Sequence, residues 1–165
     1  MNAFTLEGWD NFFMTTAGAA AALAGLLFVA LSINLTRILE IPGLAARAGE
    51  TFIPLAVVLI VSLLALVPGQ GIRPFAVKLA AIGGAAWAIT TWIECRAVRA
   101  GHYQRAAHLL MRIGINQPAC VSVPIAGLSI LLRFPGGLYW LVPAVTLSFA
   151  GIMVNAWILL VEILR

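Results

Sequence analysis

The sequence predicts an all-α fold: a polytopic bundle of five transmembrane helices in one domain, residues 1–165, with the N-terminus outside and the C-terminus in the cytoplasm. Composition and the spacing of charges carry that reading. Of 165 residues, 62% are hydrophobic and only 10 are Lys or Arg and 6 Asp or Glu, whereas charged residues supply about a quarter of a soluble domain. Stretches almost free of ionisable groups, at ~20 residues per crossing, fill roughly 100 positions. That leaves no room for a water-soluble catalytic or nucleic-acid-binding domain.

The first span is expected at about residues 14–37, inside an uncharged run with the core AGAAAALAGLLFVALSINL. Trp9, Phe12 and Phe13 supply an aromatic belt at one interface, and Arg37 closes the other end. The N-terminal run carries Glu7 and Asp10 but no Lys or Arg, so it lacks the basic region of a cleavable signal peptide. The first apolar stretch is therefore expected to stay in the membrane.

In the linker LEIPGLAARAGE, Pro42 and Gly43 stop the helix, and Glu40, Arg47 and Glu50 hold the segment in water or headgroups. The second span is expected at 51–67. The run PGQGIRP, with two Pro and two Gly in seven residues, has the composition of a tight turn between antiparallel helices. A third span follows at 75–95, with Lys78 close enough to the surface to snorkel.

Residues 96–112 hold four arginines and both histidines, so they predict a basic amphipathic segment at the cytoplasmic surface, either separate or continuous with the fourth span. The fourth span is expected at 113–132, bent by Pro118 and Pro124. The turn RFPGG leads to the fifth, at 138–163, opened by Tyr139 and Trp140. Counting Lys and Arg across short loops sets the orientation. Arg37, Arg47, Arg96, Arg99, Arg105, Arg112 and Arg165 fall on the cytoplasmic side, against Arg73, Lys78 and Arg133 outside.

Small residues recur at helical spacing: Ala17, Ala21 and Gly25; Ala76, Ala80, Gly84 and Ala88; Gly114, Pro118, Ser122 and Ala126. In lipid, such faces let backbones approach, which holds a bundle together. Gly18, Gly25 and Ser32, seven apart, make a narrow stripe expected to pack within the chain or, failing that, to associate with another copy or line a pore. Polar groups within spans tend to face protein or water. Asn34, Arg37, Asn155 and Glu162 are expected to form a cluster between the first and last helices, as structural glue or as a proton- or ion-handling site. Asn116 and Gln117 precede Pro118, where a broken helix lines a cavity or simply starts at the boundary. Arg96, Arg99, Arg105 and Arg112 suit anionic lipid headgroups.

No zinc, nucleophile or phosphate-loop pattern is present. Glu94, Cys95, His102 and His108 lie near one another but fit no common zinc spacing, and the neighbouring arginines oppose a cation. Cys95 and Cys120 are expected to stay free. No metal, cofactor, nucleic acid or enzymatic activity is expected.

The runs GLLFVALSINLTRIL and PAVTLSFAGIMVNAWILLVEILR resemble the terminal spans of small, functionally uncharacterised bacterial inner-membrane proteins. Some of these are labelled modulators of the membrane-anchored AAA protease. The resemblance covers under half the chain and implies an accessory role in the inner membrane. ALAGLLFVAL is also similar to the pore helix of calcium-release-activated channels. Those channels have four spans, a cytoplasmic N-terminus and an acidic filter residue absent from this chain, so their function does not transfer. The leading expectation is an accessory or regulatory inner-membrane protein acting through helix–helix association, as a homo-oligomer or with a membrane-protein partner. The alternative is a homo-oligomeric ion channel or small-solute transporter lined by the first helix.

Overall fold

The computed structural model describes the backbone of residues 3–40, 44–99 and 106–164. Within these, it describes all side chains except those of 37, 44–48, 50, 97, 106–113, 115, 116 and 158–164. The described residues form helices and turns and no strand: α1 (Asp10–Ile33), α2 (Leu35–Glu40), α3 (Leu44–Ala65), α4 (Ile72–Arg99), α5 (Ala106–Leu132) and α6 (Leu141–Leu164). The all-helical fold follows from apolar runs in which Gly and Pro cluster at the turns.

Three helical stretches are long and apolar enough to cross a membrane: Asp10–Ile33, Ile72–Arg96 and Gly137–Trp157. Thr51–Ala65 and Gln117–Leu132 are apolar but shorter.

The long helices alternate in direction, as their end contacts show. Phe13 and Phe75 rings meet at 6.1 Å, so α1 and α4 start at the same end of the bundle. Thr16 and Ser62 hydroxyls, 2.8 Å apart, bring the end of α3 there. The Leu138 amide donates to the Ala3 carbonyl at 2.8 Å, so the α5–α6 turn lies at that end too.

α4 and α5 form the most extensive pairing, α6 packs on α5, and α3 touches α1, α4 and α6. The core divides accordingly. One cluster joins Trp9, Phe13, Val61, Phe75, Leu79, Ala126 and Leu138; a second joins Ala20, Leu27, Leu55, Val58 and Ile152.

Several boundaries differ from the sequence reading. The first long helix is interrupted at Asn34, where the side-chain amide turns back to donate to the Ala30 carbonyl at 2.9 Å, and helix resumes at Leu35. Such a side chain competes with the backbone ladder. Helix resumes at Leu44, ahead of the apolar part that begins at Thr51, and passes through Pro54. Residues 96–112 are not a separate helix. Residues 96–99 extend α4 and 106–112 extend α5, while Ala100–Arg105 lie outside the described residues. A 3-10 turn, Gly137–Trp140, precedes α6.

The α5–α6 turn is pinned by one hydroxyl. Ser129 Oγ donates to the Phe134 carbonyl at 2.8 Å and accepts from the Gly137 amide at 2.9 Å. Gly136 and Gly137 have positive φ, and a Cβ on Gly137 would strike the Ala3 carbonyl. Glycine is required there to seat the N-terminal segment. Trp9 docks on the same turn with its ring 5.1 Å from Tyr139; its indole Nε1 has no hydrogen-bond acceptor among the described residues. On the neighbouring turn, Lys78 donates to Gln70, and Gln70 donates to the Leu64 carbonyl at 2.7 Å.

Candidate functional site

Trp87, Thr91 and Glu94 follow at i, i+4 and i+7, so α4 presents them on one face. Gln117 of α5 lies against all three. Its Oε1 accepts from Trp87 Nε1 at 2.8 Å. Its Nε2 donates to Glu94 Oε2 at 2.7 Å and to Thr91 Oγ1 at 3.2 Å. The Trp87 N–H fixes which way round the amide sits, because an indole nitrogen only donates.

Glu94 is 7% exposed, and no cation pairs with it among the described residues. Thr90 turns its hydroxyl to the Ala86 and Trp87 carbonyls, with Cys120 beside it. Every hydrogen-bonding atom of the Gln117 amide group is thus engaged, and the group acts as a clamp between two helices. Where neither water nor lipid offers partners, such a knot stabilises one register of α4 against α5.

Glycines set the closeness of that pairing. A Cβ on Gly127 would lie 2.6 Å from the Ala80 nitrogen and 2.7 Å from the Ala76 carbonyl. One on Gly83 would lie 2.6 Å from Pro124 Cδ and 2.8 Å from Val123 Cγ1. The expected face through Ala76, Ala80, Gly84 and Ala88 is therefore corrected at its inner half: Gly83 takes the contact, Gly84 meets nothing within 4 Å, and Ala88 is exposed.

The stripe on α1 behaves differently. Phe13, Thr16, Ala17, Ala20 and Leu27 face the protein, whereas Gly18, Ala21, Gly25 and Ser32 are exposed. Gly18 and Gly25 have nothing within 4 Å of a Cβ position. Among the described residues this stripe does not take up the packing within the chain that was the first expectation: α3 takes the opposite face of α1, leaving Gly18, Gly25 and Ser32 outward.

The expected cluster of Asn34, Arg37, Asn155 and Glu162 is not assembled among the described residues. α3 stands between α1 and α6, Asn34 bonds to the Ala30 carbonyl one turn back, and Asn155 is half-buried with no side-chain hydrogen bond among the described residues. The side chains of Arg37 and Glu162 lie outside the described residues, as does that of Asn116, partner of Gln117 in the sequence reading. Arg96 and Arg99 are exposed on α4, with the Arg96 guanidinium 4.7 Å from the centre of the Trp92 ring. Arg105 and the side chain of Arg112 lie outside the described residues. No three of His, Cys, Asp and Glu come together among the described residues, and both cysteines are free.

Sequence reading missed the pairing of Glu94 with Gln117. The signal was present in part: Trp87, Thr91 and Glu94 share a helical face otherwise made of small residues. Comparison with protein-family models, curated proteins and solved structures finds no match for this chain.

Proposed function

We propose that this protein is a multi-pass inner-membrane protein of five spans, N-terminus out and C-terminus in, that works by helix–helix association through the outward face of α1. The alternation of direction supports five crossings. Since α1 and α4 start at one end, α3 must return the chain between them, and α5 must return it to the Ala3–Leu138 contact. The helices α3 and α5, at 22 and 27 residues, reach about 33 and 40 Å, though their apolar parts, Thr51–Ala65 and Gln117–Leu132, are shorter than a usual crossing. Arg96 and Arg99 at the end opposite Asp10, Arg73 and Arg133 support the orientation.

The observation that carries the association reading is the direction of Gly18, Ala21, Gly25 and Ser32. The same residue types that bring α4 onto α5 at backbone distance are exposed on α1, where among the described residues nothing lies within 4 Å of a Cβ position on Gly18 or Gly25. The occupant is a second copy of this chain or a helix of another membrane protein, in an accessory or regulatory rather than enzymatic role. The test is the mass of the full chain, purified and in native membranes, with Gly18→Ile and Gly25→Ile beside the unaltered protein. Association that both substitutions abolish is the expected result. A monomer that co-purifies with no reproducible partner counts against the reading.

The pore alternative draws on the same outward face, because a ring of copies meeting through α1 would turn Ser32 toward its axis. Asn34, engaged with Ala30, is a weaker lining candidate than the sequence suggests. A closed ring of several copies with measurable flux would favour this alternative.

A further inference from the structure

Trp92, Arg96 and Arg99 follow at i, i+4 and i+7 and share one face of α4. It is not the face that meets α5: Glu94, between them in sequence, turns into the bundle and bonds to Gln117. Its departure strips the outer face of its nearest carboxylate. Trp92 is 59% exposed, and its ring carries the Arg96 guanidinium 4.7 Å from the centroid. Among the described residues, no carboxylate pairs with Arg96 or Arg99.

We propose that this face is a binding site for one anionic phospholipid, the two guanidiniums taking the phosphodiester and Trp92 lying along the glycerol and upper acyl chain. Position, charge and chemistry argue for that occupant. Arg96 ends the apolar stretch Ile72–Arg96, the depth at which headgroups begin. Guanidinium is planar, stays charged and matches phosphate with paired N–H donors. The cation–π contact with Trp92 restrains the Arg96 guanidinium before a ligand arrives. The site sharpens the headgroup contact expected from the sequence, selecting Arg96 and Arg99 of the four arginines and adding an aromatic floor. It rests on the membrane-crossing reading of α4 and is independent of what α1 binds.

The test is native mass spectrometry of the full chain released from nanodiscs of mixed phosphatidylglycerol and phosphatidylcholine. R96Q/R99Q is compared with R133Q, at the opposite end of the bundle, and W92L with the unaltered protein. The unaltered chain is expected to retain one phosphatidylglycerol in preference to phosphatidylcholine. R96Q/R99Q is expected to lose that preference by about thirtyfold, from the attraction of two basic side chains to an anionic headgroup. W92L should weaken it less and R133Q leave it unchanged. An undiminished preference in R96Q/R99Q overturns the site, and so does equal displacement by free inorganic phosphate, which would make the ligand a soluble anion. Alkaline carbonate extraction of each variant separates the two readings. A chain that stays in the membrane but loses no lipid preference refutes the site alone, whereas a chain that is extracted refutes the crossing on which it rests.

Discussion

Adding one methyl group at Gly83 and, separately, at the adjacent Gly84 isolates packing from helix propensity. Both glycines lie inside α4, so each Gly→Ala change brings the same intrinsic gain of up to about 1 kcal/mol. Their surroundings differ. The new Cβ at Gly83 would lie 2.6 Å from Pro124 Cδ and 2.7 Å from its nitrogen, whereas that at Gly84 meets nothing within 4 Å. A ring nitrogen inside a helix cannot swing aside, so α4 and α5 must part by several tenths of an ångström, an overpacking cost of ~1–3 kcal/mol. Gly83→Ala should therefore be ~1–3 kcal/mol less stable than Gly84→Ala. Cys120 is buried on the α5 side of this contact and Cys95 is exposed, so thiol labelling of Cys120 in a Cys95→Ser background reads the opening directly. Denaturant-dependent labelling in lipid nanodiscs gives the difference. Equal stability of the two variants, or the reverse order, would refute the close α4–α5 contact.

Further expectations follow from the same interfaces. Gln117→Leu removes the partner of the buried Glu94 carboxyl, and a buried group left unsatisfied costs ~1–3 kcal/mol; combined with Glu94→Gln in a double-mutant cycle, it should show a coupling of roughly 0.5–3 kcal/mol, and additivity would contradict the clamp. Ser129→Ala deprives the Gly137 amide and the Phe134 carbonyl of their partner, so hydrogen exchange at Gly137 and Leu138 should accelerate while that of mid-α4 amides is unchanged. Gly137→Ala should undock the N-terminal segment, seen as increased protease cleavage before Trp9 with the five long helices intact by circular dichroism.

How much of this was legible in the sequence depends on whether a feature is local. The helices were, because an apolar run bounded by Gly and Pro carries its own instructions; PGQGIRP and RFPGG fall where the turns are. The pairing of Gln117 with Glu94, 23 residues apart, was not. Each is visible as a polar group in an apolar setting, but only the packing of α4 on α5 brings them together. Two adjacent glycines at 83 and 84 leave the phase of the face undetermined, so periodicity alone selected the wrong one. The Gly18, Gly25 and Ser32 stripe was legible as a face, while its direction depends on which side of α1 the distant α3 occupies. Asn34 likewise reads as an intramembrane polar group until its bond to Ala30 is seen.

The most direct test of association through α1 is site-specific photo-crosslinking in native membranes, with a probe at position 25 on α1 and a control at Val77, an apolar exposed position on α4. The expected result is a discrete adduct from position 25, to a second copy or to one reproducible membrane protein, and none from position 77. No discrete adduct from position 25, or the same adduct from both positions, would contradict it.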